Sequence, residues 1–516
     1  MKLSTFITKA LAAAAVLLSV FSCKKTDEAL PTLKFDVAAT EIGPEGGSVE
    51  LRVDWSYCKW KISLEEGCLD FCELTAVYGG VETSEGSSSV TVTVNPNNSK
   101  SVREIVLKVE DVDGRVSDRI SLSQSGVKPV AVSVDATRTF QTWDGFGAMN
   151  SWGDSDYWTK SECDLLFGTL GIDIMRLRIP TTESHWQNLL ESAGYASSTY
   201  GAKLLASPWS GPAEWKDTGS LNGKDGETRS HLLEEHYEDY ALYLEKYAGY
   251  MKDNGAALYA ISIQNEPDWP ASYEGCYWTP EQIASFASAY AYLITSAAVV
   301  SGEPMGSNTK YWDAILDDPE ASANVDILAG HLYGDGAMKS YSRAAQKGKS
   351  LWMTEHLLNE SWNVGGSHWD ETMQMADEVS DCITNGWNAY IWWYARRYYS
   401  FIGDGEQSTS RGSILPRGHA FGQFSRYIDP GDVRIEASSN SESLRVCAFR
   451  DASGKRKIVI VNDSANDIDA STAGGTLVDA SFTSASENSA KLSVTSDGAS
   501  LNFTLKAKSI SSLEIK

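Results

Sequence analysis

Between residues 146 and 417 short apolar runs alternate with amphipathic helical stretches, and this alternation leaves few folds open. The runs lie at 172–177, 203–207, 258–263, 325–330, 351–354 and 388–393, with helical patterns between them, for example at 231–252 and 280–300. They are largely apolar on successive residues, as in strands buried on both faces. Such strands separated by helices form a parallel sheet of βα units. The span approaches the ~250 residues typical of an eight-fold barrel, so a (β/α)8 TIM barrel is predicted, with a doubly wound open sheet as the alternative. No Gly-x-Gly-x-x-Gly follows the first strand, so a dinucleotide site is not supported.

Two of the runs end alike. Tyr259-Ala-Ile-Ser-Ile263 turns polar at Gln264, Asn265 and Glu266, and Pro267 stops it. Ser350-Leu-Trp-Met-Thr354 runs into Glu355 and His356. The carboxyl ends of barrel strands are where catalytic groups sit. Two glutamates this far apart in sequence meet only if the fold joins two strand ends, which a barrel does. Such a pair cleaves glycosidic bonds, one carboxyl as acid/base and the other as nucleophile or base. One must stay protonated until the bond breaks while the other is ionised, and burial beside a negative partner separates the two titrations. The side chain of Asn265 could hydrogen-bond a sugar 2-hydroxyl, a contact that strengthens in an oxocarbenium-like transition state. Its plainer role is that of a turn residue before Pro267.

The flanks change period. From 33 to 127, strands of period two such as Ser48-Val-Glu-Leu-Arg-Val53, Ser89-Val-Thr-Val-Thr-Val94 and Arg103-Glu-Ile-Val-Leu-Lys-Val109 are punctuated by Gly46-Gly47, Gly79-Gly80 and Asn95-Pro-Asn-Asn98. They predict an immunoglobulin-like β-sandwich. Val127-Lys-Pro129 marks a boundary. A lone strand near Val132 precedes the barrel, and alternating strands return from 433 to the end. Together they predict a side β-sandwich built from 128–145 and 418–516.

At the amino terminus Lys2 and Lys9 precede an apolar run at 10–21, too short to span a bilayer and suited to a secretory signal at 1–23. Its end, Val20-Phe-Ser-Cys23, has the small residue and cysteine of a bacterial lipoprotein box. Cys23 is therefore expected to carry lipid, holding the exported chain to the outer membrane, on its periplasmic or outer face, by this anchor alone. Plain secretion is the alternative. Residues 24–32 read as a polar tether. Seven cysteines remain, an odd number, and Cys68-x-x-x-Cys72 lacks the histidines of a zinc finger. Buried thiols with at most one bridge are expected. A net charge of −25 without a basic patch argues against nucleic acid as a partner.

Seven stretches, in order, resemble glycoside hydrolase family 30 and, within it, the glucuronoxylanase subfamily 8. They are Gln141-Thr-Trp-Asp-Gly-Phe-Gly147, Ala206-Ser-Pro-Trp-Ser210, Ile261-Ser-Ile-Gln-Asn-Glu-Pro-Asp-Trp269, Tyr273-Glu-Gly-Cys-Tyr-Trp-Thr-Pro280, His331-Leu-Tyr-Gly334, Trp352-Met-Thr-Glu-His356 and Tyr390-Ile-Trp-Trp-Tyr-Ala-Arg-Arg397. The resemblance implies a retaining endo-β-1,4-xylanase acting on glucuronoxylan, with Glu266 as acid/base and Glu355 as nucleophile. It implies a xylan-type polysaccharide as partner and no metal or cofactor; a monomer is expected. It also puts recognition of the glucuronate branch on Arg397, with Tyr399 as the neighbouring hydroxyl. A guanidinium suits that task because its planar donors match a carboxylate. Of Arg396 and Arg397, the other is expected to bridge barrel and sandwich. Trp152, Trp209, Tyr333 and Trp393 either line the sugar cleft or pack in the core. The sequence departs from the resemblance at Tyr398, at Ser210-Gly-Pro-Ala-Glu-Trp215 and in the loop 400–413, which bears on how strictly a uronate is required.

The segment 33–127 resembles BACON-type modules through Glu45-Gly-Gly-Ser-Val49, Trp55, Trp60 and Ile120-Ser-Leu-Ser-Gln-Ser-Gly126. It reads as a spacer, with carbohydrate binding as the other use. Rival functions are another family 30 specificity (general xylanase, xylosidase or β-glucosidase) and a non-catalytic glycan-binding lipoprotein. A pure binder would have no need of both glutamates.

Overall fold

The computed structural model describes residues 29–153, 155–334, 338–358 and 368–516. The expected signal at 1–23, with Cys23, and the start of the expected tether lie outside the described residues. The chain divides into two compact units after Lys128.

The first unit is one seven-stranded sheet organised by the long strand Gly47–Leu64. That strand pairs antiparallel with Thr32–Val37, Tyr78–Val94 and Arg103–Asp111. Its apolar residues Leu51, Val53 and Trp60 meet Val92, Ile105 and Leu122 in a single core. Trp60 is fully buried there, and Trp55 packs against the same core with its indole donating to Ser88 Oγ at 3.2 Å. A Cβ at Gly79 would stand 2.2 Å from the Trp60 ring, so this glycine makes room for the indole. The described cysteines of both units are buried and free, so the single bridge that the sequence allowed is not formed.

In the second unit eight parallel strands close a barrel: β1 (Gly145–Met149), β2 (Ile174–Ile179), β3 (Lys203–Pro208), β4 (Ala260–Ser262), β5 (Ala298–Val300), β6 (Ile327–His331), β7 (Ser350–Glu355) and β8 (Ala389–Trp392). They pair in sequence order, and β8 closes on β1 from Ala389↔Gly145 to Trp392↔Ala148. Every residue of β1, β2, β4, β6 and β8 is buried, as in a parallel sheet covered on both faces. Ile174, Leu205, Ala260, Ala329, Trp352 and Ile391 belong to a cluster of their own, apart from the main core shared with the helices.

Two strands were not among the predicted runs. β1 falls in the Trp-Asp-Gly-Phe-Gly stretch, whose glycines mask its strand character. β5 falls inside the helical pattern at 280–300. The helix there, Pro280–Tyr290, starts with a capping box at Thr279 and is followed by a 3-10 turn at Ala291–Leu293. The alanines prolong the helical signal, but Val299 and Val300 pair with Ile261 and Ser262 of β4, and tertiary pairing overrides propensity.

The last sheet has ten strands in one continuous path. Val130–Thr142 lies within it, antiparallel to Val433–Ser439 and parallel to Ile468–Ala473. Val132, Ile460, Phe482, Phe503 and Leu513, from both halves of the path, share one core, so the sheet folds over on itself. The helix Pro416–Ser425 runs across the boundary expected at 417 and joins this sheet to the barrel. Its Gln423 donates to Thr483 Oγ1 at 3.0 Å and accepts from Ser512 at its carbonyl at 2.6 Å.

Candidate active site

Glu266 follows β4 on a backbone held by its neighbours. Asn265 N–H donates to Pro208 C=O at 2.9 Å and Glu266 N–H to Glu303 C=O at 2.8 Å. Glu266 has a left-handed φ of 46°, a conformation that costs a non-glycine residue energy and clusters at functional sites. Glu355 is the last residue of β7. A carboxylate oxygen of each glutamate and a ring nitrogen of His331, at the end of β6, lie within 4.8 Å of one another.

Behind the pair stands a buried charge network. Arg176 of β2 donates to Glu355 Oε2 at 2.5 Å and to Asn265 Oδ1 at 2.6 Å, and pairs with Glu303 at 3.3 Å. His331 Nδ1 is 3.2 Å from Glu266 Oε1, and its Nε2 lies 3.9 Å from Glu303 and 4.0 Å from Glu355. Tyr333 donates its hydroxyl to Glu355 Oε1 at 3.0 Å. Burial alone would push the His331 imidazole down, but the carboxylates of Glu355, Glu266 and Glu303 raise it to about 9. Burial opposes ionisation of Glu303, yet Arg176 and His331 bring it down to about 2. Glu355 is raised, first by burial and also by the charge of Glu266, while His331 and Arg176 pull it back. Glu266, His331 and Glu355 have the composition of a metal-ligand set. However, Glu355 already accepts from Arg176 and Tyr333, and the Arg176 cation stands directly behind it.

The glutamates open into a cavity of about 760 Å³ whose walls include Trp152, Trp209, Tyr273, Tyr333 and Trp393. Trp209 is buried beneath Arg176, whose guanidinium carbon lies 5.0 Å from its ring centre, and it leans on Trp393 at 5.9 Å. Trp152 is exposed and meets Tyr273 edge-on at 6.2 Å. A second cavity of about 430 Å³ shares Trp152, Leu357, Trp393 and Tyr394 with the first and adds Arg397, Tyr399 and Asp404. A third of about 330 Å³ shares Met305 and Tyr333 and adds Asp268 and Lys339. The three form a groove across the barrel mouth, from the loops after β8 and β1 to those after β5 and β6.

The two arginines after β8 differ. Arg397 is 44% exposed, donates to Asp404 Oδ2 at 3.0 Å and lies over the Tyr398 ring at 5.1 Å. Tyr399 is buried, and burial pushes its phenol up. Arg396 is buried and pairs with Glu162 at 2.7 Å and Asp156 at 2.9 Å. It therefore ties the exit of β8 to the segment after β1, and does not bridge barrel and sandwich as expected. Asn265 gives its side-chain oxygen to Arg176, which leaves its amide N–H groups as the donors for a ligand.

Sequence reasoning missed Arg176, His331 and Glu303 as members of the site. Two signals were present. Arg176 and Arg178 are charges inside the apolar run Ile174-Met-Arg-Leu-Arg-Ile179, and Val299-Val-Ser-Gly-Glu-Pro304 is a third run that ends in glutamate and proline.

Residues 180–399 match the family model described as the glycosyl hydrolase family 30 TIM-barrel domain. Glucuronoxylanase XynC of Bacillus subtilis (strain 168) is 34% identical over 339 residues, covering 64% of this chain and 77% of the relative. The crystal structure of the glycoside hydrolase family 30 subfamily 8 xylanase Xyn30A from Clostridium acetobutylicum superposes with a TM-score of 0.68 at 30% identity, over 74% of this chain and 99% of that one. A GH30 endoxylanase from Clostridium papyrosolvens C71 superposes with a TM-score of 0.67 at 30% identity, over 75% of this chain and all of that one.

Proposed function

The chain belongs to glycosyl hydrolase family 30, and on that premise we propose that it is a retaining endo-β-1,4-xylanase whose substrates include glucuronoxylan. The spacing of the two carboxylates carries the reading. Retaining enzymes hold their carboxyls ~5–5.5 Å apart, whereas inverting ones leave ~6.5–9.5 Å for a water. Oxygens of Glu266 and Glu355 within 4.8 Å fit the first class. We assign Glu355 as the nucleophile from its place at the end of β7 in the family motif; burial raises it, and the donors Arg176 and Tyr333 offset part of that by favouring its charged form. Its oxygen bonds to the anomeric carbon as the glycosidic C–O bond breaks, and the leaving oxygen takes a proton from Glu266. Water then attacks the same carbon, returns a proton to Glu266 and frees Glu355. Asn265, oriented by Arg176, donates to the sugar 2-hydroxyl.

Among the described residues the three cavities share walls along the barrel mouth, which fits a polymer entered at internal bonds. The test is the course of digestion of glucuronoxylan. Viscosity is expected to fall before much reducing sugar appears, giving oligomers; release of xylose alone from chain ends would instead assign an exo enzyme. Arg397 and Tyr399 are the groups for the uronate branch. The amino-terminal unit is read as an immunoglobulin-like, BACON-type spacer, and Cys23 as the lipid attachment to the outer membrane. Labelling with a radioactive fatty acid, expected in the native chain and lost in Cys23→Ser, checks the anchor.

A further inference from the structure

The pocket around Arg397 holds as much acid as base. Among the described residues that line it, Arg396 and Arg397 face Asp156 and Asp404, a balance of zero. The acid that matters is Asp404. Its side chain is only 11% exposed, it lines the pocket, and its Oδ2 already accepts from Arg397 Nη1 at 3.0 Å. It is also held: Oδ1 accepts from Glu406 N–H at 3.0 Å, and across its loop Gly403 N–H donates to Ser413 C=O and Gly412 N–H to Gly403 C=O, each at 2.9 Å. An incoming uronate would have to share the guanidinium with a carboxylate already bonded to it and to its own loop backbone.

We infer that Asp404 is a specificity-determining residue: it occupies Arg397 as an internal carboxylate, so the pocket admits uronate-bearing and unbranched xylan with little preference. This rests on the xylanase reading. Like charges brought together at a binding site typically cost a factor of about ten or more in affinity. Removing the charge should therefore turn a tolerant site into a selective one.

The experiment uses the full chain and its Asp404→Asn variant, in which the side-chain oxygen can still accept from Glu406 N–H. kcat/KM is measured on glucuronoxylan and on an arabinoxylan without uronate. The native ratio is expected within about tenfold of unity, and the variant ratio about tenfold or more higher, through a lower KM for glucuronoxylan. A native ratio above roughly a hundredfold, or a ratio that Asp404→Asn leaves unmoved, overturns the inference while the xylanase reading stands. The native ratio alone decides if the variant does not fold. If the native chain cuts neither polymer, the xylanase reading falls and the inference with it.

Discussion

Two regions of the groove are built by opposite means. At the catalytic centre, Arg176, Glu303 and His331 are wholly buried and Glu355 nearly so, each held by strands or their immediate exits. At the branch end, Arg397 is half in water and its partner sits on a loop. In the first region a charge removed leaves another stranded without solvent. In the second, water and salt replace what is lost. Chemistry is thus anchored where errors are costly, and recognition is placed where it can drift.

The largest effect that would break this contrast is at the nucleophile. Glu355→Gln should lower kcat by roughly a thousandfold or more while the protein still binds xylan in a pull-down. Residual turnover near the native rate would place the chemistry elsewhere.

Next comes stability. Arg176→Met strands Glu303 and Glu355 and should cost about 3–5 kcal/mol in denaturant unfolding. Arg397→Met, at an exposed pair, should cost less than about 1 kcal/mol. Equal losses would erase the distinction.

Alkali tests the same cluster from its cation. The His331 imidazole is raised from 6.5 to about 9, so its contribution to stability is complete below pH 6.5 and is lost as pH rises through 9. A shift of that size corresponds to about 3 kcal/mol. The melting temperature of the catalytic unit should fall between these pH values, and this fall should vanish in His331→Gln. Glu303, lowered to about 2, contributes above about pH 4.5 and loses its share as pH falls through 2.

The smallest effect is at the branch end. Arg397→Ala should raise KM for glucuronoxylan by up to about tenfold with kcat little changed, as expected of a partly solvated contact. A collapse of kcat would move Arg397 into the catalytic cluster.

What the sequence disclosed follows the same division. Glu266 and Glu355 stood out because a carboxylate closing an apolar run has few structural reasons to be there. β5 did not, because Ala298 continues an alanine-rich helical pattern and only its pairing with β4 makes it a strand. Arg176 lay in plain view inside a strand, yet its partners come from the ends of β4, β5 and β7, and no local pattern joins those. The partner of Arg397 was the least accessible: Asp404 is one acid in a loop without periodicity, and only the fold brings it to the guanidinium.

The most direct test of the paired glutamates is the anomeric configuration of the first product, followed by proton NMR as xylan is cut. Retention requires the β anomer to appear first and the α anomer to grow only by mutarotation. Initial release of the α anomer would mean inversion, and a double displacement through Glu355 could not stand.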